Sequence, residues 1–342
     1  MSFPAADGQG VSGARQYWLT QRSVLWPLLR LCADLLTFRA SRRRLSIFVY
    51  HGVWAKDDVC RDEAIQVEQF DWQMRLLSRV FNIIPLQQAV EAMKTGTLPK
   101  RAVVLTFDDG YENNLSVALP VLQKYQVPAT FFITACAVQQ GIMWNDLVKE
   151  AVYRCEKPVV DLSDLGLGQV SIASADDKTQ LVERLLEQLK ALRLTQQQHA
   201  VALICQQTGV QPNRRLMLTE QQLKQFANTP GVTVGCHTYS HPMLSVCSQD
   251  EVLADLQASK AYLQRITGAP VDYFAYPYGK YGQHFFAEHV NLVVQSGFKA
   301  AVTTDWGVNE PEDSFYLLKR FTPWDSNPVK FFLRMCLNYR KA

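Results

Sequence analysis

The sequence predicts a parallel α/β domain, and three observations carry the prediction. Ala102-Val103-Val104-Leu105-Thr106-Phe107 is a continuous apolar run, as expected of a strand buried on both faces. Strand-like and helix-like segments alternate around it, the order that builds parallel sheets. Polar residues able to do chemistry stand just past the predicted strands, and in a parallel α/β barrel all strand carboxyl ends meet at one face.

Residues 1–15 are small, polar and glycine-containing and are expected to be disordered. Residues 16–44 are expected to hold an amphipathic helix with Pro27 in its first turn, placing Leu28, Leu31, Cys32, Leu35 and Leu36 on one face. Two uses of that face stay open. One is packing on the domain; the other is an interfacial helix that brings Trp26 and the cluster Arg39, Arg42, Arg43 and Arg44 to an anionic membrane.

Leu45–Tyr50 reads as a buried strand with His51 just past its end. A helix over Phe70–Phe81, a short strand over Asn82–Leu86 and a helix over Gln87–Met93 follow. Asp108 and Asp109 end the apolar strand, and Gly110 permits a sharp turn. A helix is expected over Asn114–Tyr125 and a strand over Ala129–Ile133. From 143 to 219 the rhythm breaks into a Gln-rich, helical segment, read as an inserted lobe over the barrel mouth. Within it Leu181, Leu185, Leu189 and Leu192 form a stripe suited to core packing. Strands resume over Val232–Gly235, Val271–Tyr276 and Phe298–Thr303.

The 342 residues are 48% hydrophobic, ample for one large core or two modest ones. A formal net charge of +3 with no basic-aromatic stripe argues against nucleic acid as a partner. Eight scattered cysteines without a CxxC pair read as reduced thiols. The apolar stretch Tyr17–Phe38 is broken by Arg22, Pro27, Arg30 and Asp34. It is too interrupted to span a bilayer and begins too late for a simple signal peptide. These features point to the cytoplasm, at the inner face of the membrane. Oligomeric state stays open.

Three short strings fit one metal site: Tyr50-His51, Thr106-Phe107-Asp108-Asp109-Gly110 and His237-Thr238-Tyr239-Ser240-His241. Asp109, His237 and His241 are the expected ligands, since imidazole nitrogen and carboxylate oxygen suit a d-block dication and three protein ligands leave room for water. Asp108 is then free to move a proton, and His51 can supply the acid. Alone, Asp-Asp-Gly is commonly a turn and His-x-x-x-His commonly chance; their shared position past strand ends joins them. Thr238 either hydrogen-bonds the site or caps a helix. Tyr111, Trp144, Tyr276, Tyr278 and Trp324 fit stacking on a sugar, though aromatics also fill ordinary cores. His199, His284 and His289 read as surface or packing residues.

These strings resemble the motifs of the polysaccharide deacetylase family with the NodB homology domain (carbohydrate esterase family 4), in its sub-group with an N-terminal Tyr-His motif. The resemblance runs from about residue 45 to 325 apart from the insertion, within a domain taken as 45–342. It implies a distorted (β/α)7 barrel with a helical insertion between the first and second metal motifs. It implies Asp108 as general base and Asp109, His237 and His241 as ligands, zinc being the expected ion and cobalt, nickel or ferrous iron the alternatives. Phe274-Ala275-Tyr276-Pro277-Tyr278-Gly279 is similar to the third motif, Phe-Arg-Pro-Pro-Tyr-Gly, but Ala275 stands where an arginine often orients the base. Arg320 is the expected substitute, and the Tyr278 backbone N–H an expected oxyanion donor. The late Leu-x-His motif is missing, and Tyr50-His51-Gly52 matches relatives whose acid lies near the start, which implies His51 as general acid. The implied activity is metal-dependent N-deacetylation of an N-acetylhexosamine-containing polysaccharide or lipid-linked glycan in envelope or exopolysaccharide synthesis. A metal-dependent hydrolase of another amide, formyl or O-acetyl group, or a non-catalytic glycan-binding barrel, is the alternative.

Overall fold

Seven parallel strands form a nearly closed barrel: β1 (Ser46–Tyr50), β2 (Ala102–Phe107), β3 (Ala129–Ile133), β4 (Val232–Cys236), β5 (Tyr273–Ala275), β6 (Ala300–Trp306) and β7 (Leu318–Arg320), hydrogen-bonded in that order. The structure, a computed structural model, describes residues 25–37, 43–55, 60, 65–211 and 214–340. The disorder expected of residues 1–15, and residues 16–24 and 38–42 of the expected N-terminal helix, lie outside the described residues. The barrel closes just past β7: the Val49 N–H donates to the Phe321 carbonyl at 3.0 Å and the Phe321 N–H to Ile47 at 2.7 Å. A flanking strand, Asn82–Ile83, shares one edge of β2 with β3, because β1 occupies the whole opposite edge.

Side-chain alternation decides what fills the barrel. Ile47, Val104, Phe132, Ala275, Val302 and Leu318 form one buried cluster, while Phe48, Val103, Leu105, Phe131 and Phe274 pack in another with the surrounding helices. Gly235 is required beside Phe132: a Cβ there would stand 2.4 Å from the phenylalanine ring. The inward phase of Val104 and Thr106 continues to Asp108, so the strand itself aims that carboxylate at the mouth.

Several elements differ from expectation. The first barrel helix starts earlier, at Val67, and ends at Val80. The segment Asn114–Tyr125 is not uniform: a wide turn over Asn114–Ala118 precedes the α-helix Leu119–Tyr125, where Pro120, lacking an N–H, sits in the first turn. β7 had no sequence signal, being three residues long with Lys319 and Arg320 in it. The inserted lobe carries helices Trp144–Tyr153, Ala175–Lys190 and Leu194–Thr208 around their own core, including Leu181, Leu185 and Leu189. It is not purely helical: Val159–Asp161 and Gln169–Ser171 pair antiparallel. Its return segment passes the barrel mouth, where the Leu218 N–H donates to the Gly110 carbonyl and Tyr111 bridges to Met217.

Candidate active site

The carboxyl ends of β2 and β4 bring Asp109, His237 and His241 together. The Nε2 atoms of His237 and His241 each stand 3.6 Å from Asp109 Oδ1, and all three side chains are buried. Two neighbours in sequence reach the mouth by different means. Asp108 arrives on the inward phase of β2, whereas Asp109 is turned inward by a left-handed backbone, φ 75°. His241 (φ 55°), Thr238 (φ 64°) and Tyr278 (φ 59°) share that conformation, so four of the six non-glycine residues at positive φ among the described residues cluster here. Such backbone costs roughly 1–3 kcal/mol per residue and persists where surrounding contacts enforce it.

Those contacts are visible. The His237 N–H donates to Ile133 O at 3.0 Å, the His241 N–H to Thr238 Oγ1 at 3.0 Å, and Ser259 Oγ to Thr238 O at 2.8 Å. Thr238 is thus a brace for the His237–His241 loop. Asp255 accepts from the Tyr239 N–H at 2.6 Å and from the Ser240 N–H and hydroxyl at 3.0 and 2.6 Å.

The three side chains fit a divalent cation. Ala275 O can only accept, so His237 Nδ1, 2.8 Å away, carries the ring proton and leaves Nε2 as a lone pair facing Asp109. Asp109 Oδ1 is buried with no hydrogen-bond partner among the described residues. Burial lowers His237 to about 4 and His241 well below the usual histidine range, so both rings are neutral at neutral pH, the form that could bind a cation. Burial, and then the charges of Asp108 and Asp146, push Asp109 well above the carboxylate range, a cost that a bound cation would reverse.

Arg320 answers the question raised by Ala275. It lies at the end of β7, fully buried, and donates from Nη1 to Asp108 Oδ1 at 2.8 Å and from Nη2 to Oδ2 at 2.7 Å. Its Nε donates to Thr303 O at 2.6 Å and Nη1 also to Thr106 Oγ1 at 3.1 Å. Burial would raise the Asp108 carboxyl, but the Arg320 charge and hydrogen bonds, with His237, bring it down to about 2. His51 stands just past β1, exposed to solvent; desolvation of its ring lowers its pKa against the raising effect of the Asp108 charge.

A cavity of about 350 Å³ joins this centre to the inserted lobe, with Trp144, Glu183, Glu187 and Lys190 on one side and His241 and Tyr278 on the other. The expected aromatic lining divides. Trp144 and Tyr278 line the cavity. Tyr111 is buried, its hydroxyl donating to Asp146 at 2.9 Å. Trp324, 53% exposed, stacks on Phe321 away from that cavity, next to Trp306. Tyr276 is corrected: it is fully buried and stacked on Phe285 at 3.8 Å, so its ring belongs to the core and not to a sugar platform. Asp146, Asp255 and Trp306 had no motif to announce them.

The polysaccharide deacetylase family pattern matches residues 95–156 and 169–299, more than half of the chain. YxkH of Bacillus subtilis (strain 168) is 18% identical over 279 residues, covering 81% of this chain and 70% of its own. A poly-β-1,6-N-acetyl-D-glucosamine N-deacetylase of Staphylococcus aureus is 33% identical over 90 residues, 26% of this chain and only 30% of that relative's length. Among solved structures, IcaB from Ammonifex degensii aligns with a TM-score of 0.56 at 19% identity, covering 87% of this chain and 97% of that one. The Streptococcus pyogenes deacetylase PplD aligns at 0.54 with 18% identity, covering 82% and 92%. At these identities the two structures speak for the fold.

Proposed function

This chain belongs to the polysaccharide deacetylase family, and on that premise we propose that it removes the acetyl group from N-acetylhexosamine units of a polysaccharide or lipid-linked glycan. One observation carries the reading: a carboxylate clamped by a buried arginine stands beside a carboxylate–imidazole–imidazole triangle at the barrel mouth. The name of the S. aureus relative supports the choice of an N-acetyl amide.

A divalent cation held by Asp109, His237 and His241, zinc first among the candidates, would supply Lewis acidity to the acyl oxygen and to water. Asp108 accepts the proton of the attacking water, its ionised form secured by Arg320. The Tyr278 backbone N–H donates to the acyl oxygen as negative charge develops there. His51, recharged to its imidazolium form by the proton that Asp108 took from water, delivers a proton to the departing nitrogen, so that the amine leaves neutral. Trp144 offers a face to the sugar ring.

Acetate release from a panel of N-acetylated glycans and lipid-linked sugars, followed by mass spectrometry, tests the reaction. Asp108→Asn should retain the cation and lose about 10²–10⁴-fold in turnover. Full turnover in that variant would remove Asp108 from the base role.

A further inference from the structure

Two helices from opposite ends of the chain lie side by side on the barrel flank, Leu25–Thr37 and Pro328–Asn338. Each buries one face. Ala33 and Thr37, with half-buried Trp26 and Leu29, pack inward on the first; Phe331, Phe332, Met335 and Cys336 do so on the second. The opposite faces are apolar as well. Leu28, Leu31 and Leu35 follow i, i+3, i+7 spacing, and Val329, Leu333 and Leu337 follow i, i+4, i+8. All six are between 43% and 69% exposed. Scattered single apolar residues on a surface need no account, but two adjacent helical stripes do. The face that the sequence assigned to the first helix is therefore split: Leu36 packs on the core, while Leu28, Leu31, Cys32 and Leu35 look outward.

Charge selects the occupant. Arg30, Lys330 and Arg340 are exposed on or next to these helices. The only acidic residue on either helix, Asp34, is tied to Arg101. Arg43 and Arg44 are engaged with Glu312 and Glu310, so the cationic character rests on the first three. Apolar stripes bordered by cations, with the one acid on either helix neutralised by Arg101, match the boundary between headgroups and acyl chains of an anionic bilayer. Among the described residues no helix is long and apolar enough to cross a membrane, so contact would be with one surface.

We propose that the paired outer faces of these two helices form a docking surface for an anionic lipid membrane, holding the barrel at the lipid–water boundary. The test is co-sedimentation of the full chain with phosphatidylcholine vesicles and with vesicles of equal parts phosphatidylcholine and phosphatidylglycerol. The wild type should partition at least about tenfold more strongly to the anionic vesicles, and salt should weaken it. Leu31→Glu combined with Leu333→Glu should lose at least about tenfold of that partitioning, with the unfolding midpoint unchanged because both side chains are exposed. Lys330→Glu should lower the preference for the anionic vesicles. Failure of the wild type to bind either vesicle, or equal binding by the double variant, overturns the proposal. So does a concentration-dependent dimer that the double variant dissolves, which would make the face a contact between two copies.

Discussion

Replacing Arg320 by methionine removes the buried cation that faces Asp108 while keeping most of the side chain's volume. Both partners are essentially buried, at 0% and 2% side-chain exposure, so water cannot take over the lost role. Opposite charges about 4 Å apart at an effective dielectric near 20 attract by about 4 kcal/mol. Stripping one partner from a buried pair typically costs about 3–5 kcal/mol, in agreement. The shift of Asp108 from 3.8 to about 2 corresponds to a smaller figure, about 2 kcal/mol, because burial has already taken its share. The sign is fixed by the depressed value: the stabilisation is complete above about pH 4 and is lost as pH falls toward 2. Without Arg320 burial wins, the carboxyl moves above its ordinary range, and the acid limb of turnover rises with it. Urea unfolding at neutral pH should therefore show a loss of about 3–5 kcal/mol in Arg320→Met. Adding Asp108→Asn should recover most of it, since the charge that lacked a partner is gone. If Arg320→Met were as stable as the parent, or the double variant no better than the single, the compensated-pair reasoning would fail.

Two further outcomes follow from the same geometry. Asp255→Ala unties the loop between His237 and His241 and should weaken cation affinity about 10–100-fold, whereas His237→Ala should abolish stoichiometric binding; elemental analysis and competition with a chelator read both, and unchanged affinity in Asp255→Ala would leave that residue a mere helix ornament. In cation-free protein, His237 at about 4 refuses a proton that the unfolded chain accepts below about 6.5, so stability should fall by about 3 kcal/mol as pH drops through that window; His237→Gln should flatten the slope, and an unchanged slope would assign acid sensitivity elsewhere.

The barrel was legible wherever strands were long and apolar. Ala102–Phe107 and Ala129–Ile133 declared themselves because both faces are covered. Leu318–Arg320 did not, since a three-residue strand ending in two cations has no period to detect. The same brevity hides the geometry of Arg320: the alanine at 275 implies a substitute arginine, but the fork on Asp108 depends on a register 212 residues away. Asp109, His237 and His241 were readable from spacing, while the left-handed backbone that orients two of them was not, because nothing local requires aspartate or histidine to adopt it. Tyr276 shows the opposite failure. It lies in a motif flanked by mouth residues, yet ring stacking on Phe285 draws it inward. Asp255 sits on the long helix Gln249–Thr267 among other polar residues, and only the fold brings it beneath the histidine loop.

The closing seam of the barrel has a consequence during synthesis. Asp108 is made about two-thirds of a chain before Arg320, and the strand that carries the arginine is the last of the seven. Until that strand docks beside β1, the carboxylate has no guanidinium and the sheet keeps an open edge. A nascent or misassembled chain would thus lack the arginine that clamps Asp108, the proposed base, even with Asp109, His237 and His241 in place. Catalytic competence would arrive in a single late event, loop closure over most of the domain, which is entropically slow compared with local pairing. On the proposed reading hydrolysis would await the completed fold, and a cut that releases β7 would part Arg320 from Asp108 without touching Asp109, His237 or His241.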